Sequence, residues 1–204
     1  MPTIDDVTII NTNTAEAKTV DSGLERTICG DSLCGSKNLT VYRRTVSEGH
    51  QFGVHAGDDY HLLYVMATSK EGYISYNGEI IPAEEGAGVL LALGESAQFE
   101  ASGSDMELLH MVTPTPPSSI EEGLTGGPGY LFNRETLRVL TDASGGRVRR
   151  FCAESTVRLL DGSRLTPTNA IQAGEMHYHE GGSSPYHQHV GTDANPTGPD
   201  HCYI

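Results

Sequence analysis

Four of the chain's nine histidines, His177, His179, His187 and His189, fall in one short stretch near the C-terminus, and His201 follows after a loop. His187 and His189 are two residues apart, so on a strand both imidazoles project from the same face. A third nitrogen from His201 on a neighbouring segment completes a facial set that leaves positions open for substrate or water. Neutral imidazole suits one divalent metal ion of the Fe, Zn, Ni, Cu or Mn kind without choosing among them. A carboxylate from Asp193 or Asp200 in place of one imidazole gives the two-histidine, one-carboxylate arrangement of non-haem iron. The plainer alternative is a set of polar loop and strand residues with no metal. His177 and His179 precede the pair and read as surface residues or as supports behind the ligands.

Other chemistries find no footing. The sequence has no Gly-x-Ser-x-Gly elbow, no Walker phosphate loop and no Gly-x-Gly-x-x-Gly fingerprint. A formal net charge of −14 repels phosphate backbones and anionic lipid surfaces, which argues against nucleic acid and membrane partners. The N-terminal Met-Pro-Thr-Ile-Asp-Asp lacks a basic region and an apolar run, so a cytoplasmic protein is expected. Cys29, Cys34, Cys152 and Cys202 are then expected to be reduced thiols. Cys29 and Cys34 have no second pair at zinc-ribbon spacing.

The elements that must carry these residues are short. With 24 glycines, 10 prolines and no tryptophan, the composition suits many strands joined by turns. Residues 1–37 read as a polar arm with one or two strands at most. Asn38–Ser47 alternates as a strand, with Thr40, Tyr42 and Arg44 on one side. Glu48–Asp59 reads as a loop and Tyr60–Thr68 as a buried strand. Gly72–Tyr76 and Glu79–Ile81 flank Asn77-Gly78, a two-residue hairpin signal. Val89–Leu93, Ala97–Ala101 and Met106–Thr113 add three more strands. Pro114–Gly129 breaks the pattern, and Asn133 is placed to cap a helix over Arg134–Thr141. Arg147, Arg149 and Arg150 form a small basic face. Thr156–Leu160 and Arg164–Thr166 flank Asp161-Gly162 as a second hairpin, Asn169–Glu180 reads as a long strand, and Tyr186–Val190 carries the His-x-His pair.

Gly181-Gly-Ser-Ser-Pro-Tyr-His187-Gln-His189, followed by a loop and His201-Cys-Tyr-Ile, resembles the first metal motif of the cupin family. His201 stands where that motif's third ligand falls. A weaker copy lies in the first half, where His55, Asp59 and His61 precede the apolar strand Leu62–Met66. The later Gly94-Glu95-Ser96-Ala97-Gln98-Phe99 resembles the second cupin motif, with Ala97 where a histidine is expected. The resemblance implies an all-β, cupin-type double-stranded β-helix (jelly-roll barrel), a partial second barrel and a short linking helix. It implies a bicupin with an N-terminal arm (1–37), a first barrel with a degenerate metal motif (38–113), a linker (114–150) and the start of a second cupin (151–204).

On this resemblance His187, His189 and His201 hold the metal, with a fourth ligand missing from the chain. His55 and His61 line substrate or serve the fold, and His50 and His110 have no functional reading. Tyr178 and Tyr186 are pocket candidates. The implied activity is a dioxygenase-like oxidation of a small organic substrate. The alternatives are a non-redox cupin isomerase or lyase, and a small-ligand-binding module without catalysis. Unpaired edges of an incomplete second barrel imply a homo-oligomer or a fragment of a longer chain.

Overall fold

The computed structural model describes residues 3–4, 7–68, 71–115, 125–141, 145–152 and 165–180, with side chains from residue 9 onward. Among them strands dominate. Two short strands, β1 (Thr3–Ile4) and β2 (Val7–Thr8), pair with each other. The larger sheet is built from β3 (Lys18–Val20), β4 (Gly23–Cys29), β5 (Thr40–Val46), β7 (Asp59–Ala67), β10 (Ala87–Leu91), β12 (Met106–Pro114) and β13 (Tyr130–Asn133). Facing it are β6 (Gln51–His55), β8 (Tyr73–Tyr76), β9 (Glu79–Pro82) and β11 (Ser96–Glu100). Strand orders are β13-β10-β7-β12-β5-β4-β3 and β6-β11-β8-β9, antiparallel throughout. The two sheets stack as a jelly-roll sandwich and do not hydrogen-bond into a closed ring.

Period-two alternation explains the core. Leu63 and Val65 of β7 point toward the smaller sheet and meet Val89, Leu91, Leu108, Ile74 and Phe99. Leu62 and Tyr64 point the other way, against Val41, Leu90, Leu109, Phe132 and Phe151. Because β7 and β10 are covered on both faces, they read as nearly continuous apolar runs. Each such leucine or phenylalanine contributes about 1.5–3 kcal/mol by leaving water.

The second face of the larger sheet is covered by a three-stranded sheet, β14 (Leu140–Thr141), β15 (Arg147–Arg150) and β16 (Gly174–His177), and by its flanking segments. Phe151 stacks on Tyr64 at 4.7 Å and on Phe132 at 5.3 Å between ring centroids. Backbone conformation at three positions shapes the two sheets. Asn77 (φ 49) and Gly78 (φ 82) make the tight turn between β8 and β9. At Gly88 a Cβ would lie 2.3 Å from the carbonyl oxygen of Leu63 and 2.5 Å from Cζ of Phe132, so only glycine lets the strands close there.

Four elements differ from the sequence expectation. Residues 1–37, expected to hold one or two strands at most, contain β1 to β4, and β3 and β4 extend the larger sheet because β4 pairs along its length with β5. The predicted Glu48–Asp59 loop contains β6, whose Phe52 and Val54 alternate inward while Gly53 and the polar neighbours mask the pattern. Of the predicted helix over Arg134–Thr141, only a 3₁₀ turn at Arg134–Thr136 forms. Asn133 does cap it, its Oδ1 accepting the Glu135 N–H at 2.9 Å. A helix of two turns has a costly nucleus, and burying Leu137 in the outer core takes precedence. The predicted strand Asn169–Glu180 contracts to the four residues of β16. The Asp161-Gly162 hairpin and the Tyr186–Val190 strand lie outside the described residues.

Candidate functional site

Within the described residues, polar chemistry enters the sandwich interior at one place. Tyr42 and Arg44 share one face of β5, as their alternation predicts, and Val46 on that face packs into the core between the sheets, so the face is the inward one. Register sets His110 of β12 opposite both Tyr42 and Leu63, and His61 of β7 opposite Leu91 and Val112. All of these side chains therefore project into the space between the sheets.

The contacts form a chain. Glu25 of β4 ion-pairs with the guanidinium Nη1 of Arg44. The Arg44 Nε–H donates to His110 Nδ1 at 2.9 Å. His110 Nε2 lies 2.9 Å from His61 Nδ1. The guanidinium carbon sits 4.9 Å from the Tyr42 ring centre and 4.7 Å from that of Phe52, a cation–π clamp that holds Arg44 in place. His110 is only 3 % exposed and its ring contacts Phe52 edge-on at 6.0 Å.

Electrostatics settles the protonation. Burial, then Arg44, then His61 push the His110 pKa well below the ordinary imidazole value. Burial also lowers His61; Asp59 partly opposes this, while Arg44 and His55 add to it. Desolvation lowers Arg44 as well, against the pull of Glu25, and a guanidinium stays charged regardless. At neutral pH the chain is one cation, one carboxylate and two neutral imidazoles.

Proton positions then follow by elimination. The arginine nitrogen can only donate, so His110 Nδ1 is an acceptor. A neutral imidazole carries one N–H, which for His110 is at Nε2 and donates to His61 Nδ1. His61 in turn carries its proton on Nε2. The relay Glu25–Arg44–His110–His61 thus ends in an N–H donor on a half-buried side chain.

This bears directly on a metal in the first half. Coordination needs an imidazole lone pair, and the lone pairs of His110 and His61 are both spent inside the relay. The neighbouring guanidinium repels a cation. The described residues hold no group of three or more His, Cys, Asp or Glu arranged to bind a metal ion. Ala97, buried between Val54 and Tyr76, contributes only a methyl group. The first half does not suit a metal, and no step is routed through one there.

Other histidines separate from this cluster. His55 ends β6 exposed, on the outward face of the smaller sheet, where its Nδ1 lies 2.9 Å from Ser96 Oγ. It borders an open trough of about 610 Å³ that also runs past Ser75, Asn77 and Gln98. That trough faces away from the relay. His50 lies against its own turn, 3.1 Å from the Glu48 carbonyl oxygen. His177 and His179 are exposed, His177 Nε2 lying 3.3 Å from Glu175. His187, His189 and His201, with Tyr186, lie outside the described residues.

Sequence reasoning missed His110 and Glu25. His110 sits in the apolar run Met106–Val112, where burial hides a polar role. The available signal was its parity, which places it on the face opposite Leu109 and Met111.

A second polar cluster ties the outer layer down. The Tyr64 hydroxyl donates to Glu175, and Arg134 Nη1 meets Glu175 at 3.2 Å and Glu85 at 3.0 Å. Burial raises the Tyr64 pKa, and the bond to Glu175 raises it further. Burial alone would raise Glu175, but the bonds from Tyr64, His177 and Arg134 override it and leave Glu175 low.

No family model and no curated protein matches this sequence. Solved structures do. The protein Ylba from E. coli, of domain family DUF861, aligns with a TM-score of 0.56 at 12% identity, over 71% of this chain and 57% of its own. A putative glyoxylate-induced protein from Pseudomonas aeruginosa gives 0.55 at 13%, over 70% and 55%. An oxalate decarboxylase gives 0.53 at 14%, over 75% and 57%. These neighbours are cupin-fold proteins. The fold is a cupin fold. The alignments span little more than half the length of those cupins, so the likeness speaks for the β architecture alone. No helix among the described residues is long and apolar enough to cross a membrane.

Proposed function

We propose that this cupin-fold chain acts on a small organic molecule with one divalent metal ion held by His187, His189 and His201. In this reading the chain is a bicupin whose first half has lost its metal. The supporting observation is the relay: Arg44 commits both interior imidazoles of the first half to hydrogen bonds. Metal chemistry then falls to the glycine-led His-x-His segment and its trailing histidine. A metal bound there supplies Lewis acidity and, if redox-active, a place to engage O₂; a dioxygenase-like oxidation is the chemistry proposed. A cytosolic, self-associating protein belongs to the same reading.

Metal analysis of the purified chain tests it first. About one equivalent of metal, lost in His187→Ala and His189→Ala, supports the proposal; metal content unchanged in both variants overturns it. Oxygen uptake then decides the chemistry. A zinc-loaded protein that consumes no O₂ points to a non-redox isomerase or lyase instead.

A second reading, a ligand-binding module without catalysis, is favoured by the relay itself, whose imidazoles are committed to hydrogen bonds. Divalent-metal calorimetry indifferent to both substitutions would leave that reading standing.

A further inference from the structure

His61 ends the relay. Its ring bonds inward through Nδ1, and no described side chain accepts from the other nitrogen. Polar groups inside a fold pair with protein or with ordered water, and a small ligand's oxygen can take the place of that water. Here a fixed guanidinium polarises a line of imidazoles whose last N–H is left pointing at a half-buried position. Successive donors of this kind strengthen one another in a low-dielectric interior.

We propose that the first half of this protein binds the acceptor oxygen of a small carbonyl or carboxylate compound at His61 Nε2–H. Arg44 and His110 act as positioning residues that fix the tautomer of His61. Glu25 holds Arg44 without touching the ligand. The charged and titratable groups that bear on His61 are Asp59, Arg44 and His55, together with His110 at hydrogen-bond distance. Arg44 favours an incoming oxygen, and Asp59 limits how much negative charge the site tolerates. The inference stands on the relay alone and does not need a metal at His187, His189 and His201.

The test is nitrogen-detected NMR of the full chain with ¹⁵N-labelled histidine, stripped of metal with EDTA. His61 is assigned by its loss in His61→Gln. The expected spectrum has a protonated Nε2 and an unprotonated Nδ1 on His61. Sodium acetate or acetamide should shift its Nε2 resonance saturably, and the Arg44→Met variant should lose the tautomer preference and weaken binding at least tenfold. A shift with acetate alone assigns a carboxylate ligand; a shift with acetamide alone assigns an uncharged carbonyl. A proton on His61 Nδ1, or no shift with either probe up to about 100 mM, overturns the proposal. So does added Zn²⁺ that moves His61 Nε2 to a metal-bound position. Failure of the metal reading leaves these signals untouched, so the two proposals fail separately.

Discussion

Arg44 Nε lies 2.9 Å from His110 Nδ1, and this contact makes Nδ1 of His110 an acceptor and so directs the bond from His110 to His61. An arginine nitrogen offers no lone pair, so the direction of the relay cannot reverse. A lysine could rotate its donors and would leave His110 free to take either tautomer.

The ion pair behind that contact is mostly buried, with side-chain exposures of 13% for Arg44 and 17% for Glu25. Removing one partner strands the other. Arg44→Met should cost about 3 kcal/mol, the lower end of what breaking a buried pair costs. The double variant Glu25→Leu/Arg44→Met should be less destabilised than Arg44→Met alone. Urea denaturation of these proteins and of Glu25→Leu checks this, and additive losses would refute it.

His110 makes stability depend on pH. Burial holds its folded pKa well below the ordinary imidazole value of 6.5, so below that value the unfolded chain binds the extra proton. Stability is therefore full above about pH 6.5 and falls as the pH drops, at about 1.4 kcal/mol per pH unit for one group. His61 shifts in the same direction and adds to the slope. His110→Phe should flatten the curve between pH 6.5 and 5. Denaturation midpoints measured across that range give the slope.

The outer layer hangs on Glu175. Tyr64→Phe removes the hydroxyl that donates to it and should cost about 1–3 kcal/mol. Glu175→Ala should release β16 and raise proteolytic cleavage within residues 165–180, while the sandwich stays folded. Because the folded pKa of Glu175 is lowered, its contribution holds above pH 4.5 and fades as the pH falls through the folded value. Limited proteolysis with mass spectrometry reads this out.

Three described thiols should separate by reactivity. Cys34 is exposed, Cys29 is buried with its sulfur 3.6 Å from that of Cys34, and Cys152 is buried with its thiol pushed up to about 12 by desolvation. Peptide-resolved alkylation should label Cys34 first, Cys29 slowly and Cys152 only on unfolding. Early labelling of Cys152 would show that the outer layer opens.

Gly88→Ala should cost about 3 kcal/mol, because its methyl group would strike the Leu63 carbonyl and Phe132. A thermal midpoint unchanged by this substitution would mean that β7, β10 and β13 pack more loosely than described.

The sequence alone was enough for the strand-rich class, for the turn at Asn77-Gly78, for most strands of the sandwich and for placing Tyr42 and Arg44 on one face of their strand. These are local matters: period-two alternation and turn chemistry act between near neighbours. It could not show that His61 and His110, 49 residues apart, meet, or that Glu25 in the presumed arm anchors Arg44. Register between strands distant in the chain sets those contacts, and a shift of one residue would turn each side chain to the opposite face. The length of the 3₁₀ turn after Asn133 was likewise decided by burial of Leu137. Chain spacing thus named which imidazoles exist and on which strands; only the packed sheets decided which of them share a proton.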